Sequence, residues 1–444
     1  MAFQVVLVSI AFGGLVAFAF RGMNLLVAFA TILITAGGLD DDEYGAFVLG
    51  LAFVGITNAV AGGLTASTAY QVANQRRSSA TALANGGVPG AVFAALAICV
   101  GLGVAALADG WVASEALPVA VAASAVILNS AMAGVFLGRE SFVRYNVALV
   151  APPLSALTFI AAAFLMVDDR TPELALWMYA LGQWTAIIML FLVSVRSFTG
   201  VPALSPRLMR TVVRFAALAG LSSGISFLNY RADLFVVERF EGTSGAGTYF
   251  LAVGLAESVW QVSGSLTLAT YARLGSLSRT DAALLTTRVM RHTIVLLGAF
   301  CLALFLLADV IEAALFSTHD QMSTALRLLL PGVLLYGLAQ SFSGFYTYQR
   351  GLPWAAAVVA GTGLVIDIAL AFALVPPYGV PGAAAASSIA YGTAIICALA
   401  VFVRQERLRP GDVFRFGRAD LDDYRSLVTR VRGALRAAQR SPSR

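Results

Sequence analysis

Twelve apolar runs, each long enough to cross about 30 Å of hydrocarbon, punctuate this 444-residue chain, and their length and spacing constrain its fold more than any other feature. Six lie at roughly 8–36, 45–71, 87–108, 116–137, 146–167 and 174–195. After an arginine-bearing connector come six more, at 212–237, 245–272, 292–308, 323–348, 355–375 and 380–403. Within a bilayer no water satisfies the backbone, so runs of this length are expected as helices. The fold class expected is an all-α integral membrane protein of about twelve transmembrane helices. Composition agrees, with 12% of residues charged and 59% hydrophobic, where a soluble domain carries about 25% charge. The opening MAFQVVLVSIAFGG lacks the positive n-region of a cleavable signal, so it is expected to be a retained first span.

The loops give the orientation. All 29 basic residues are arginine, and 13 of them fall in alternate loops: Arg76, Arg77, Arg139, Arg144, Arg196, Arg207, Arg210, Arg214, Arg273, Arg279, Arg288, Arg291 and Arg350. The opposite loops carry three, Arg170, Arg239 and Arg327, and most of the loop acids, including the run Asp40 to Glu43. Cytoplasmic loops retain arginine, so both termini are expected in the cytoplasm and the chain in the cytoplasmic (inner) membrane. The expected organisation is an N-terminal half at 1–200, a C-terminal half at 207–404 and an arginine-rich tail at 405–444. In that tail Leu421, Tyr424, Val428, Val431 and Leu435 fall at helical spacing, which suits an amphipathic helix on anionic lipid; a solvated, partly disordered tail suits its composition equally.

Charges inside the runs are few: Arg21, Arg231, Asp233, Glu257 and Asp367. A charge at the bilayer centre costs about 2.5–3.5 kcal/mol on insertion scales, so these residues are expected to face protein or a water-filled cavity. Arg21 lies about 21 Å along its helix, too deep to reach the interface easily. If Arg21 and Arg231 face one cavity they form an anion site, because a guanidinium grips phosphate through two parallel hydrogen bonds. The structural alternatives are a helix–helix tie for Arg21 and mutual neutralisation of Arg231 and Asp233. Glu257 and Gln261, one helical turn apart among Ser258, Ser263, Ser265, Thr267 and Thr270, suit a cavity lining, as does Asn58 in the polar strip of the second run. Asp367 and Glu257 are candidate proton or sodium sites, with a structural partner as the alternative. Pro152-Pro153 and Pro331-Gly332 are expected to bend their helices.

Other chemistry has little support. The chain has no GxxxxGK[ST], GxSxG or HExxH motif and no large soluble segment to house one. Cys99, Cys301 and Cys397 lack metal-ligand or disulfide spacing, and His292 and His319 have no second histidine nearby. No catalytic or metal site is expected, no cofactor and no nucleic-acid partner. An internal similarity links YGAFVLGLAFV from Tyr44 to YFLAVGLAESV from Tyr249, and transporter folds place their substrate site near such a repeat interface.

Four segments resemble one known family: GGLDDDEYGAFVLGLAF at 37–53, NYRADLFVVERFEGTSGAGTYFLAVGLAE at 229–257, WQVSGSLTLATYARLGSL at 260–277 and LVPPYGVPGAAAASSIAYG at 374–392. They resemble the Wzx-type polysaccharide flippases of the multidrug/oligosaccharidyl-lipid/polysaccharide exporter superfamily, over residues 5–404. The resemblance implies two six-helix bundles around a central cavity that opens alternately to either side. It implies outward movement of an undecaprenyl-pyrophosphate-linked glycan, with Arg21 and Arg231 in the role of head-group contacts. A polysaccharide polymerase and glycosyltransferases are the protein partners it suggests, beside the lipid-linked glycan and membrane lipids. Lipid II flippases of the same fold pair an arginine with an aspartate in the first span; here Gly22 follows Arg21. The alternative within the superfamily is a cation-coupled exporter of drugs or other small molecules, which would rely on Asp367 and Glu257. A third class, a membrane scaffold or transferase, would need either tolerance to loss of every buried charge or a sizeable catalytic loop.

Overall fold

Local signals set where most of the helices begin. In the computed structural model, Asp40 precedes helix α2 (Asp41–Ala73), and the Glu43 carboxylate accepts a bond from the Asp40 backbone amide at 3.0 Å, closing a capping box. Ser78 caps α3 (Ser79–Leu107), Thr171 caps α6 (Pro172–Ser194) and Ser205 caps α7 (Pro206–Leu228), the last two with proline in the first turn. The structure describes residues 2–261, 263, 264, 277–350, 352, 354–415, 417 and 420. The other described helices are α1 (Ala2–Ala36), α4 (Trp111–Gly138), α5 (Phe142–Met166), α8 (Ala232–Ser258), α9 (Arg279–Leu315), α10 (Met322–Tyr336), α11 (Ala339–Gly344), α12 (Trp354–Gln405) and a short α13 (Pro410–Phe414). A π-helical turn, Phe345–Gln349, follows α11. No strand occurs among the described residues.

Ten helices among the described residues are long and apolar enough to span a membrane, and the all-α class is as expected. Two of the long helices bend at glycines that no other residue replaces without strain. Gly242 in α8 has φ 74° and ψ −171°, and Gly379 in α12 has φ 60° and ψ −141°, conformations essentially restricted to glycine. Gly379 divides the 52-residue α12 into two arms matching the eleventh and twelfth runs.

Two expectations are corrected. The seventh run is not one helix: α7 ends at Leu228, residues 229–231 leave the helix, and α8 carries the end of that run through Gly242 into the eighth. The ninth helix is far longer than the 292–308 run, because Arg279, Arg288 and Arg291 lie on the opening turns of α9 rather than in a loop. Pro152-Pro153 and Pro331 lie inside α5 and α10, which continue as helices through them. Gly332 packs against Ser388, whose hydroxyl accepts its N–H at 2.8 Å.

Helix α2 is the rod on which the two halves meet. It packs on α4 in its own half and on α7 and α8 across the boundary. Small residues allow the approach: a Cβ on Gly63 would lie 2.0 Å from the Ala216 carbonyl oxygen, and one on Gly45 1.8 Å from that of Thr243. Tyr44 and Tyr249, which open the two similar segments, are the largest fully buried side chains. They share one apolar core that also takes in Phe164 and Leu176 from the first half and Leu329 and Ala383 from the second. Of the tail, Asp420 docks on α9, and its pairing with Arg291 is 3.0 Å. The expected helix through Leu421 and Leu435 lies outside the described residues, as do Ser265, Thr267, Thr270 and Arg273.

Candidate functional site

The break between α7 and α8 builds the site. Tyr230 and Arg231 close short bonds to Phe227 and Leu228, at 2.9 and 3.2 Å, and Arg231 then leaves the helical region at φ −142°. Interrupting a helix at membrane depth frees backbone groups that need partners. Arg231 supplies one itself, because its Nη1 donates to the Tyr230 carbonyl at 2.7 Å. Its Nη2 pairs with the Glu257 carboxylate at 2.8 Å, and its guanidinium lies over the Phe250 ring, 5.7 Å from the centroid. Arg231 and Glu257 thus form an ion pair between the two arms of α8 that meet at Gly242, each with part of its side chain still open. Glu257 Oε1 has no hydrogen-bond partner among the described residues.

Asp233, two residues on, turns to the other side of α8. It sits in the first turn, where the helix dipole favours an anion, and its Oδ1 accepts the Leu234 N–H at 2.9 Å. Its Oδ2 accepts from the Tyr249 hydroxyl and, at 2.8 Å, from Ser387 Oγ. Ser387 Oγ also lies 2.9 Å from Asp367 Oδ1. Folding α12 back at Gly379 brings these two residues of different arms together. Two carboxylates therefore flank one hydroxyl, whose single proton serves only one of them at a time. Asp233, Asp367, Ser387 and Tyr249 are buried, and Asp367 Oδ2 has no hydrogen-bond partner among the described residues. That leaves an acceptor for a proton or a small hard cation, whose ligand chemistry is carboxylate and hydroxyl oxygen.

The remaining residues singled out from sequence are placed apart. Arg21 is exposed on α1, its positive charge felt at Tyr145 on α5, and it forms no ion pair among the described residues. Asn58 is exposed on α2, and Gln261 is exposed just beyond α8 with an interaction partner of its own. Arg231 and Asp233 do not neutralise each other by direct contact: each has its own set of partners. Ser387 and Tyr249 were not distinguished as site residues by sequence. The legible signal for Ser387 was the turn at Gly379, which folds the eleventh and twelfth runs into a hairpin.

A second cluster closes the acid-rich end. Asp42 accepts from Thr243 Oγ1 at 2.9 Å and from the Ser244 N–H at 3.1 Å, joining the start of α2 to the bend of α8. His319, between α9 and α10, is buried with Nδ1 3.3 Å from Thr248 Oγ1 and 3.7 Å from Asp41 Oδ1, its ring edge-on to Tyr44. Burial lowers the His319 pKa, and the Asp41 carboxylate only partly opposes this.

No family model matches the chain, and no curated protein matches it. Solved structures do. The lipid II flippase MurJ in an inward closed conformation superposes with a TM-score of 0.69 over 91% of this chain and 89% of its own, at 14% identity. An inward-facing multidrug resistance MATE family transporter of the MOP superfamily gives 0.65 over 89% and 98%, at 15% identity. An outward-facing member of the same family gives 0.62 over 90% and 95%, at 14% identity. The chain therefore has the MATE- and MurJ-like transporter fold.

Proposed function

We propose that this protein is an exporter of lipid-linked saccharide that moves an undecaprenyl-pyrophosphate-linked repeat unit outward across the cytoplasmic membrane by alternating access. The observation that carries the reading is Arg231: a guanidinium held at a helix break inside the membrane, paired with Glu257 and with part of its side chain still exposed. A broken helix whose cationic group faces a partly open space is the usual way a membrane transporter presents charge to an anionic substrate. In this reading Arg231 takes the pyrophosphate when Glu257 releases it. The arginine-bearing loops and both termini face the cytoplasm. The acid pair Asp233–Asp367, bridged by Ser387, takes up the proton or sodium ion that drives the cycle.

Arg231→Ala is expected to abolish surface polysaccharide while the protein still folds and inserts; normal surface polysaccharide in that strain sinks the anion-site reading. A second reading, a cation-coupled exporter of small molecules, is favoured by the acid pair itself. Drug-resistance profiling of a deletion strain separates the two: new drug sensitivity with intact polysaccharide supports the small-molecule exporter. In either case Asp367→Asn is expected to remove the dependence of transport on the ion gradient, measured as uptake or efflux in proteoliposomes with and without an imposed gradient.

A further inference from the structure

A cavity of about 630 Å³ lies inside the C-terminal half, beyond the break at Tyr230 and away from the acid pair. That volume is within the roughly 300–1,000 Å³ range of small-molecule sites. Its floor is aromatic: Tyr230, Trp260, Tyr336 and Phe342. The polar atoms of this floor are largely used within the protein. Trp260 Nε1 donates to the Val333 carbonyl at 2.8 Å, and the Tyr336 hydroxyl accepts from Asn229 at 3.2 Å. The floor therefore offers ring faces rather than hydrogen bonds. Val358 and Val401, from the two arms of α12, line the cavity and are also 55% and 50% exposed, so the space reaches the outer surface of a membrane-embedded hairpin.

One end has the opposite character. Arg350 and Gln405 line it, and Arg350 Nη1 pairs with Glu406 at 2.9 Å. Arg279 binds the same Glu406 carboxylate at 2.7 and 3.0 Å. Two guanidiniums share one carboxylate, which leaves a local excess of positive charge at the mouth of an apolar, aromatic chamber.

We propose that this cavity binds a phosphate-headed lipid, its hydrocarbon chain lying on the aromatic floor between the arms of α12 and its phosphate against Arg350 and Arg279. The proposal does not rest on the transport reading, because a leaflet phospholipid and an isoprenyl phosphate present the same chemistry. Cys397 lines the cavity and is exposed, while Cys301 is buried, so Cys99→Ala leaves Cys397 as the reporter thiol. The test is the rate of maleimide alkylation of Cys397 in the full chain in detergent micelles. The additions are phosphatidylglycerol, farnesyl phosphate, diacylglycerol and farnesol. A phosphate-headed lipid is expected to slow alkylation, its headless counterpart having no effect at the same concentration. Arg350→Gln, which leaves Glu406 paired with Arg279, is expected to raise the lipid needed about tenfold, as loss of one charge-assisted hydrogen bond requires. Whichever phosphate lipid protects at the lower concentration identifies the source. Failure of both to protect, equal protection by the headless compounds, or an unchanged requirement in Arg350→Gln overturns the proposal.

Discussion

At the scale of single residues, the membrane interior has turned three carboxylates and one guanidinium into two separate devices. Arg231 and Glu257 pair directly, while Asp233 and Asp367 share Ser387 and form no ion pair among the described residues, the Arg231 charge reaching Asp233 only through space. The sequence placed five charges in costly positions, Arg21 among them; which of the other four answers which depended on the direction each side chain takes from α8 and α12. Ser387→Ala is expected to leave the two carboxylates facing one another without their bridging hydroxyl, at a cost of about 1–3 kcal/mol. Asp367→Asn in the same chain is expected to recover most of this, because one of the two facing charges is gone. Thermal unfolding in detergent reads both, and a Ser387→Ala protein as stable as wild type would show that the hydroxyl contributes nothing.

At the scale of elements, glycines decide where long helices turn and how near they come. Gly379 sits with the Glu241 carboxylate 3.2 Å from the place a Cβ would take, so the turns at Gly242 and Gly379 lie against each other at the acid-rich end. Gly379→Ala is expected to destabilise the protein by about 1–3 kcal/mol through backbone strain alone, seen as a lowered unfolding temperature. Gly220→Val acts on packing instead. A Cβ there would lie 2.3 Å from the Val60 carbonyl oxygen, so α7 and α2 are forced apart at the arginine-rich end. Faster alkylation of a cysteine placed at Ser67, which bonds the Val212 carbonyl at 3.1 Å, is the expected result; an unchanged rate would mean that the two helices already part freely there.

At the scale of the whole molecule, α2 touches the second half at both ends, so the alternating-access cycle proposed above would require each contact to break in turn. The acid-rich contact includes His319, which faces the Asp41 carboxylate, the Thr248 hydroxyl and the Tyr44 ring. Its pKa is lowered from 6.5 in the closed arrangement, so the released histidine binds protons more readily than the closed one. Its contribution to closure is thus complete above 6.5 and is lost as pH falls below that value. Protection of residues 243–248 against amide hydrogen exchange, taken relative to the intrinsic rate at each pH, is expected to fall as pH drops through that window. His319→Gln is expected to flatten the response, and an identical pH profile in that variant would rule the histidine out.

Length and polarity of the apolar runs determined by themselves the all-α class and its many membrane-length helices, because insertion energies are summed locally along the chain. The costly residues Arg231, Asp233, Glu257 and Asp367 were visible for the same reason. Tertiary structure alone decided that the seventh run breaks at residues 229–231, that Glu257 rather than Asp233 answers Arg231, and that Ser387 joins the two aspartates. It also placed Arg21 beside Tyr145, far in sequence from any of them. These outcomes depend on which faces of distant helices meet. Close approach at glycines such as Gly45 and Gly63, and the return of α12 at Gly379, set those meetings through contacts between residues that hydropathy along one chain does not relate.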